Sequence, residues 1–403
     1  MSDILMMIGA GIMQYPAIEV ARKAGYSVVA VDGNLRAVGK EIADFFLNAD
    51  ISRWEDVLRL AEKFHKDVSP IGGVITVGTD FSYTVAKVAE RFGLVGVSPE
   101  TALAATRKDI MRKRLKEKYV PCPDFDVAAS LQEARGVFRS LGNECVIKPV
   151  DNMGARGVCL VRNEKELDAA FPKAIAFSRI GRVIIEKYME GPELSVDTLI
   201  CDGQVYLLTV ADRIISGKPY FIEKGHTIPS SLSEEAIGNV FDVMKKGIHA
   251  LGITVGASKA DMKVTPQGPM IGEMTARLSG GFHSQYTDPL ATGMNSIKAA
   301  VDIAMGKPLD KVDITPKFHR GACERSIYPD PGKVVKISGI EDALNMKGIE
   351  RIFLNVRVGE NLYPVTSNMG KAGHVIAWGY TREEAIDNCE KALRKIRIDT
   401  VAA

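Results

Sequence analysis

The sequence predicts an α/β protein in three parts: an open parallel α/β domain at 1–97, a β-rich domain at 98–306 and a small α+β domain at 307–403. Three observations carry that expectation. Short apolar runs alternate with helical periodicity up to about residue 97, and such strand–helix–strand alternation reads as an open parallel sheet. Hairpin signals then dominate the middle of the chain. A length of 403 residues suits two or three domains at roughly 150 residues each.

The elements follow in order. ILMMIGAG is a strand leading into a glycine turn, and PAIEVARKAG has helical spacing with Gly25 at its C-terminal cap. YSVVAVD and GGVITVG are further strands, and ligands to such sheets gather at the strands' carboxyl ends. TRKDIMRKRLKEK is a basic helix that ends near Pro121. ECVIKPVDNMGARGVCLV is two strands around a glycine-containing loop. RVIIEKYMEGPELSVDTLICDGQVYLLTV is β-rich, turning at Glu190-Gly191-Pro192 and Asp202-Gly203. SEEAIGNVFDVMKKGIHALG is a helix with Ser233 and Glu235 at its acidic start. ASKADMKVTPQGPMIGEMTARL is a hairpin turning at Pro266-Gln267-Gly268. IERIFLNVRV and HVIAWGY are strands. The final helix, TREEAIDNCEKALRKIRI, puts Ala385, Cys389, Ala392 and Ile396 on one face.

Composition narrows the classes. Hydrophobic residues make up 46% and charged residues 25%, the ordinary globular balance. Lys and Arg number 52 against 50 Asp and Glu, a net charge of +2. That near-balance argues against a polybasic nucleic-acid binder and against an anionic-membrane surface protein, while leaving room for a local basic pocket. No apolar run approaches the roughly 18–20 residues of a membrane span. The start, MSDILMMIGAG, lacks a basic n-region and reads as a buried strand rather than a signal peptide. The six cysteines form no C-x-x-C and no zinc-like cluster, so they read as buried free thiols in a reducing cytoplasm.

Four groups of residues carry candidate chemistry. Gly9-Ala10-Gly11 with Asp32 resembles part of a dinucleotide fingerprint, but Gln14 stands at its third glycine position. A plain strand-to-helix turn favours the same glycines. Lys148 ends the strand VIKP, and the loop 151–157 is small and glycine-containing. Such a loop lays backbone N–H groups over phosphate oxygens while the lysine supplies a point charge. It is not a Walker A loop, because no Gly-Lys-Ser/Thr follows. Glu186 and Glu193 flank a proline turn and suit an amino group and a ribose diol, although surface turns also carry glutamates. Asp261 and Glu273 lie on either side of the hairpin turn. Two apposed carboxylates repel unless a cation or proton lies between them, and Mg²⁺ bridging to phosphate oxygens is a natural filling. An ordinary surface hairpin is the alternative. Arg277 follows Glu273 by four residues and suits bidentate binding of a carboxylate or phosphoryl group.

In this order and spacing, Lys108, Lys148 with its glycine loop, E-K-Y-M-E-G-P-E and D-x₁₁-E-x-x-x-R resemble the ATP-grasp superfamily. TSNMGKAGHVIAWGYTREEA resembles the C-terminal domain of amino-acid ligases and related carboxylate–amine ligases. The resemblance implies an ATP-grasp fold preceded by an open parallel α/β domain. It implies that Lys108 and Lys148 hold nucleotide phosphates, with Gly154 and Gly157 in the loop that closes over them. Glu186 then accepts from the adenine amino group, Lys187 and Met189 give backbone contacts, and Glu193 takes the ribose hydroxyls. Asp261, Glu273 and Thr275 are the implied ligands of Mg²⁺ or Mn²⁺, and Arg277 and His226 face the substrate. Three positions depart from the pattern: Thr275 where many members have Asn, Lys259 where ligase relatives often have His, and Lys371 where relatives often have Arg.

The implied reaction is ATP-dependent activation of a carboxylate to an acyl phosphate, then attack by an amine. The expected partners are those two small molecules, with a homodimer as the family-level state and neither nucleic acid nor membrane. A purine-pathway-like enzyme activating formate or bicarbonate, a nucleotide-binding sensor without turnover, and a dehydrogenase resting on Gly9, Gly11 and Asp32 are the alternatives.

Overall fold

The structure, a computed structural model, describes residues 3–142 and 144–402. The chain begins with β1 (Ile4–Ile8), α1 (Tyr15–Lys23), β2 (Ser27–Asp32), β3 (Phe45–Asn48), α2 (Trp54–Asp67), β4 (Gly73–Ile75) and α3 (Ser82–Phe92). These strands form a sheet in the order β3-β2-β1-β4, all neighbours parallel, as the alternation predicts. Every residue of β1 is buried, as expected of a central parallel strand covered on both faces by helices. The Gly9–Gly11 turn is closed by its own side chains. Asp32 accepts from the Ala10 and Asn34 N–H groups at 2.8 Å each, and Gln14 accepts from the Gly11 N–H at 3.0 Å. The carboxylate that a dinucleotide ribose would need is thereby engaged within the turn.

Next come α4 (Pro99–Ala104), α5 (Lys108–Glu117) and a lid built from β5 (Phe125–Ala128), α6 (Leu131–Leu141), β6 (Cys145–Pro149), β7 (Cys159–Val161), α7 (Glu164–Ala176) and β8 (Val183–Lys187). The lid is a four-stranded sheet, β5-β8-β6-β7, with α6 and α7 packed on one face over their own apolar cluster. The chain continues through β9 (Glu193–Cys201), β10 (Gln204–Ser216), β11 (Ile222–Ile228), α8 (Glu234–Leu251), β12 (Gly256–Thr265), β13 (Gly268–Thr275), α9 (Asp288–Thr292) and α10 (Ser296–Ala304). It ends with β14 (Gly321–Ile327), β15 (Gly332–Ser338), α11 (Ile340–Leu344), β16 (Ile349–Leu354), β17 (Asn361–Leu362), β18 (Gly373–Gly379), α12 (Arg382–Lys395) and β19 (Arg397–Val401).

The central sheet has eight strands in the order β13-β12-β9-β10-β11-β14-β18-β16. Breaks near 97 and 306 are the proposed domain boundaries, and this sheet crosses the second of them. Strands after 306 supply its far side. Helices α5 and α8 bury apolar residues such as Met111, Met244 and Ile248 against Ala260, Met262 and Met274 of the sheet. Because side chains alternate across a strand, this leaves Lys259, Asp261 and Lys263 on the opposite face. Helix α12 buries Ala385, Cys389 and Ala392 as its spacing predicts, with Ile396 packed at the edge of that cluster. All six cysteines are free; Cys145, Cys201, Cys323 and Cys389 are buried, whereas Cys122 and Cys159 are half-buried. Among the described residues no helix is long and apolar enough to cross a membrane.

Candidate active site

Strand register assembles a polar face on the central sheet. Asp261 stands directly opposite Glu273 on one side and Ser195 on the other. Lys259 lies opposite Thr275 and Asp197, and Lys263 opposite Glu193. Arg213 lies opposite both Glu193 and His226. Asp261 and Ser195, 66 positions apart in sequence, are thus neighbours on one surface. The lid closes over it. Lys148 from β6 and Glu186 from β8 face down, and Lys108 stands at the start of α5.

Between lid and sheet is a cavity of ≈ 200 Å³. Its walls include Lys108, Lys148, Gly154, Glu186, Lys187, Met189, Glu193, Asp261 and Glu273, so most of the residues named from sequence are together. The cavity is smaller than the roughly 300–1,000 Å³ of ordinary ligand pockets. Ion pairs and the 151–157 loop fill the remainder. The Asn152 carbonyl accepts from Lys108 Nζ at 2.7 Å, and the Gly154 carbonyl accepts from the Asn368 N–H at 3.0 Å. Four sequence-named residues do not line this cavity: Gly157 lines a separate one with Phe177 and Tyr220, Thr275 a smaller one with Lys108 and Glu273, and Arg277 and His226 lie outside its walls.

The charges are paired tightly. Glu186 is buried between Arg112 Nε at 2.8 Å and Lys148 Nζ at 2.5 Å. Burial pushes the Glu186 carboxyl up, but Arg112 and Lys148 outweigh it and hold the group below the usual carboxylate range. Burial, aided by Arg112, lowers Lys148 against the pull of Glu186. Lys108 pairs with Glu273 at 2.9 Å. Burial opposes the Glu273 charge, yet Lys108, Lys259 and Lys148 bring its carboxyl down to about 2. Arg213 is a hub, within 2.5 Å of Glu193, 3.0 Å of Asp261 and 3.2 Å of Glu223. Lys371 reaches Glu223 at 3.3 Å and so ties the 366–371 segment to the same network.

Backbone geometry shapes the adenine-side residues. Gly191 has φ +136°, and a Cβ there would stand 2.1 Å from the Val264 carbonyl. Only glycine lets the 189–193 link lie this close to β12. The Met189 carbonyl accepts from Lys263 Nζ at 3.1 Å, and the Lys187 N–H donates to Asp124 at 2.8 Å. Backbone contact from Lys187 is therefore left to its carbonyl.

The two substrate-side residues are each held by protein partners. His226 lies within β11 and is buried, and the following helix α8 is capped by Ser233. Its Nε2 is 2.7 Å from Thr287 Oγ1. Burial and the nearby His283 hold its imidazole well below the ordinary pKa, hence neutral at pH 7. Arg277 does not stand free: its Nε donates to Asp80 at 2.7 Å, and its Nη2 donates to the same carboxylate oxygen. Asp80, Arg112, Arg213 and Glu223 are the site residues that sequence reasoning missed. The available signals were the i,i+4 spacing of Lys108 and Arg112 and the charged Asp212-Arg213 step in an otherwise apolar strand.

The donor set fits a hard divalent cation. Asp261 and Glu273 oppose one another, and the buried Thr275 hydroxyl, two residues along β13, has no hydrogen-bond partner among the described residues. Among the described residues no three His, Cys, Asp or Glu side chains could hold a metal. A carboxylate pair suits Mg²⁺, which binds through one or two carboxylates plus waters and phosphates.

Comparison with known proteins bears on the whole chain. Residues 141–285 match the model of the ATP-grasp domain, and residues 325–401 match L-amino acid ligase C-terminal domain 2. An uncharacterised protein of Sinorhizobium fredii is 26% identical over 387 residues, 95% of this chain and 77% of that one. The carbamoyl phosphate synthase large chain of Pseudomonas aeruginosa is 24% identical over 397 residues, and the chain spans only 35% of its length. The formate-dependent phosphoribosylglycinamide formyltransferase of Rhodococcus jostii is 30% identical over 260 residues, 62% of each chain. Among solved structures, the L-amino acid ligase of Bacillus licheniformis superposes with a TM-score of 0.86 at 22% identity, covering 99% of this chain and 98% of that one. The chain thus carries an ATP-grasp domain at 141–285 and an L-amino acid ligase C-terminal domain 2 at 325–401, on a fold it shares with the L-amino acid ligase of Bacillus licheniformis.

Proposed function

We propose that the protein joins a small-molecule carboxylate to an amine at the expense of ATP, through an acyl phosphate, releasing ADP and phosphate. The observation that carries this reading is the direct apposition of Asp261 and Glu273 beneath a cavity walled by Lys108 and Lys148. That arrangement suits phosphoryl transfer, in which positioning and charge neutralisation supply most of the catalysis. Lys108 and Lys148 hold the phosphates, and the 151–157 loop lifts to admit nucleotide and then excludes water. Excluding water matters because an acyl phosphate hydrolyses. Glu186, Lys187 and Met189 meet the base and Glu193 the ribose. Arg277 orients the carboxylate, and His226, held neutral, lies on the substrate side. Asp261, Glu273 and Thr275 would hold Mg²⁺ or Mn²⁺, which when bound neutralises charge on the transferring phosphoryl group. A homodimer in a reducing cytoplasm completes the proposal.

The second reading keeps the fold and activates formate or bicarbonate; the 30% identity to a formate-dependent formyltransferase favours it. The L-amino acid ligase match at 325–401 favours the first. Phosphate release is expected only with ATP, a carboxylate and an amine present together, and Glu273→Ala and Lys148→Ala are each expected to lose at least about a hundredfold in rate. Full activity in both purified variants would sink the metal and phosphate assignments. Phosphate release with formate and an aminoribonucleotide, and none across amino-acid pairs, would select the second reading. Tight ATP binding without phosphate release in any mixture would mark a sensor.

A further inference from the structure

Lys259 stands where two carboxylates compete for one cation. Its Nζ is 2.6 Å from Asp261 Oδ1. Directly across the strand pair, on the same face, is Asp197 of β9. Such opposed residues have Cβ atoms about 4.5–5.5 Å apart, well within the swing of a lysine side chain. Asp197 is 1% exposed. Its Oδ2 accepts from the Ser279 N–H at 3.2 Å and the Ser279 hydroxyl at 2.6 Å. Its Oδ1 is buried with no partner among the described residues. A buried carboxylate oxygen without a partner is costly and persists where something completes it in another state.

Asp261 has the reverse problem. It holds Lys259 and Arg213 at once, while Lys108 occupies Glu273. A divalent cation between Asp261 and Glu273 would meet the Lys259 ammonium in its own coordination space, and like charges repel there. The available destination is the Asp197 oxygen opposite.

We propose that Lys259 is a charge switch: it neutralises Asp261 when no metal is bound and moves onto Asp197 when a divalent cation takes Asp261. This rests on the reading of Asp261 and Glu273 as metal ligands. The move completes the buried Asp197 carboxylate, which holds Ser279 two residues beyond Arg277. Metal loading is thereby coupled to the loop that carries the substrate-facing arginine. Lys259 is a positioning residue, since it acts on the metal and on Arg277 only through the two aspartates.

The test is a double-mutant cycle on Mn²⁺ affinity in the presence of ADP, read by calorimetry and by the paramagnetic signal of free Mn²⁺. In the unsubstituted protein, Asp197→Asn removes the destination and is expected to weaken Mn²⁺ binding about tenfold. With Lys259→Met in place, Asp197→Asn is expected to change affinity by less than about twofold. Lys259→Arg, which keeps the charge, is expected to retain the coupling. Thermal unfolding of each variant establishes that it is folded. Equal effects of Asp197→Asn with and without Lys259 would overturn the switch while leaving the ligand assignment intact. Absence of any Mn²⁺ binding to the unsubstituted protein with ADP would overturn the ligand assignment and the switch with it.

Discussion

Arg112 has no exposed surface, yet it carries a full charge into the base of the lid. It is there for Glu186, whose other oxygen is taken by Lys148. Removing one member of a buried ion pair costs more than the pair contributes, because the survivor keeps its desolvation cost. Arg112→Met is therefore expected to lower unfolding stability by about 3 kcal/mol, at the low end of the usual range because Lys148 still neutralises Glu186. Chemical denaturation measures this, and adding Glu186→Gln should recover part of the loss. A loss under about 1 kcal/mol would mean that the pair is not held in the folded state. At this scale the sequence was half legible. Lys108, Lys148, Glu186, Asp261 and Glu273 stand in motifs, and the cavity gathers them. Arg112 and Arg213 were hidden because a charge on a basic helix or in a strand reads as solvated until its partner, far along the chain, is placed beside it.

Among the elements, the hairpin β12–β13 could be read from its Pro266-Gln267-Gly268 turn, but that turn alone would set Asp261 against Gly272; a bulge between Asp261 and Met262 shifts the pairing by one residue and brings Glu273 opposite. Strand β11 could not, since Gly225 and Pro229 flank His226 and mimic a loop. Its strand character comes from pairing with both β10 and β14. The segment after Arg277 is also non-local. Phe282 has φ +68°, stacks on Phe353 with centroids 4.5 Å apart, and leads through a π-helical turn, His283–Thr287, into α9. Helix α9 opens with Asp288, fully buried, where burial pushes the carboxyl up to about 7 against the hydrogen bonds from Ser296 and Thr292. The folded protein thus keeps a proton on Asp288 that the unfolded chain releases near 3.8. Where the native state binds more protons, stability falls as pH rises, so this contribution is present below about 4 and is lost as pH passes through about 7. Asp288→Asn, neutral at every pH, is expected to match the unsubstituted protein near pH 3.5 and to exceed it in Tm near pH 8.5. The gap should be about 2–4 °C for each kcal/mol of relief. Parallel melting curves across that range would refute a buried, titrating Asp288.

Across the whole molecule, the seam between the N-terminal sheet and the catalytic face decides where Arg277 points. The Val77 strand end forms a parallel bridge to Leu278, and Gln14 donates to the Val77 carbonyl from below. Three residues on, Asp80 holds Arg277 through two of its nitrogens. The N-terminal domain therefore reaches the site at the carboxyl end of a strand, where open parallel sheets place their functional loops. The sequence indicated that domain and that end of the sheet. It did not indicate Asp80, because its partner lies 197 residues away. Likewise, the strands after 306 read as a separate unit although they extend the central sheet, since pairing between distant strands leaves no local signal. The seam makes a separable prediction. Asp80→Asn keeps the shape and removes the charge that orients the guanidinium, while the nucleotide cavity is lined by other residues. The expected result is a loss of about 10–100-fold in kcat/KM for the carboxylate, with ADP affinity unchanged within about twofold. A parallel fall in ADP affinity would place Asp80 on the nucleotide rather than on the arginine. An unchanged kcat/KM would mean that Arg277 finds its orientation from the Leu278 carbonyl alone.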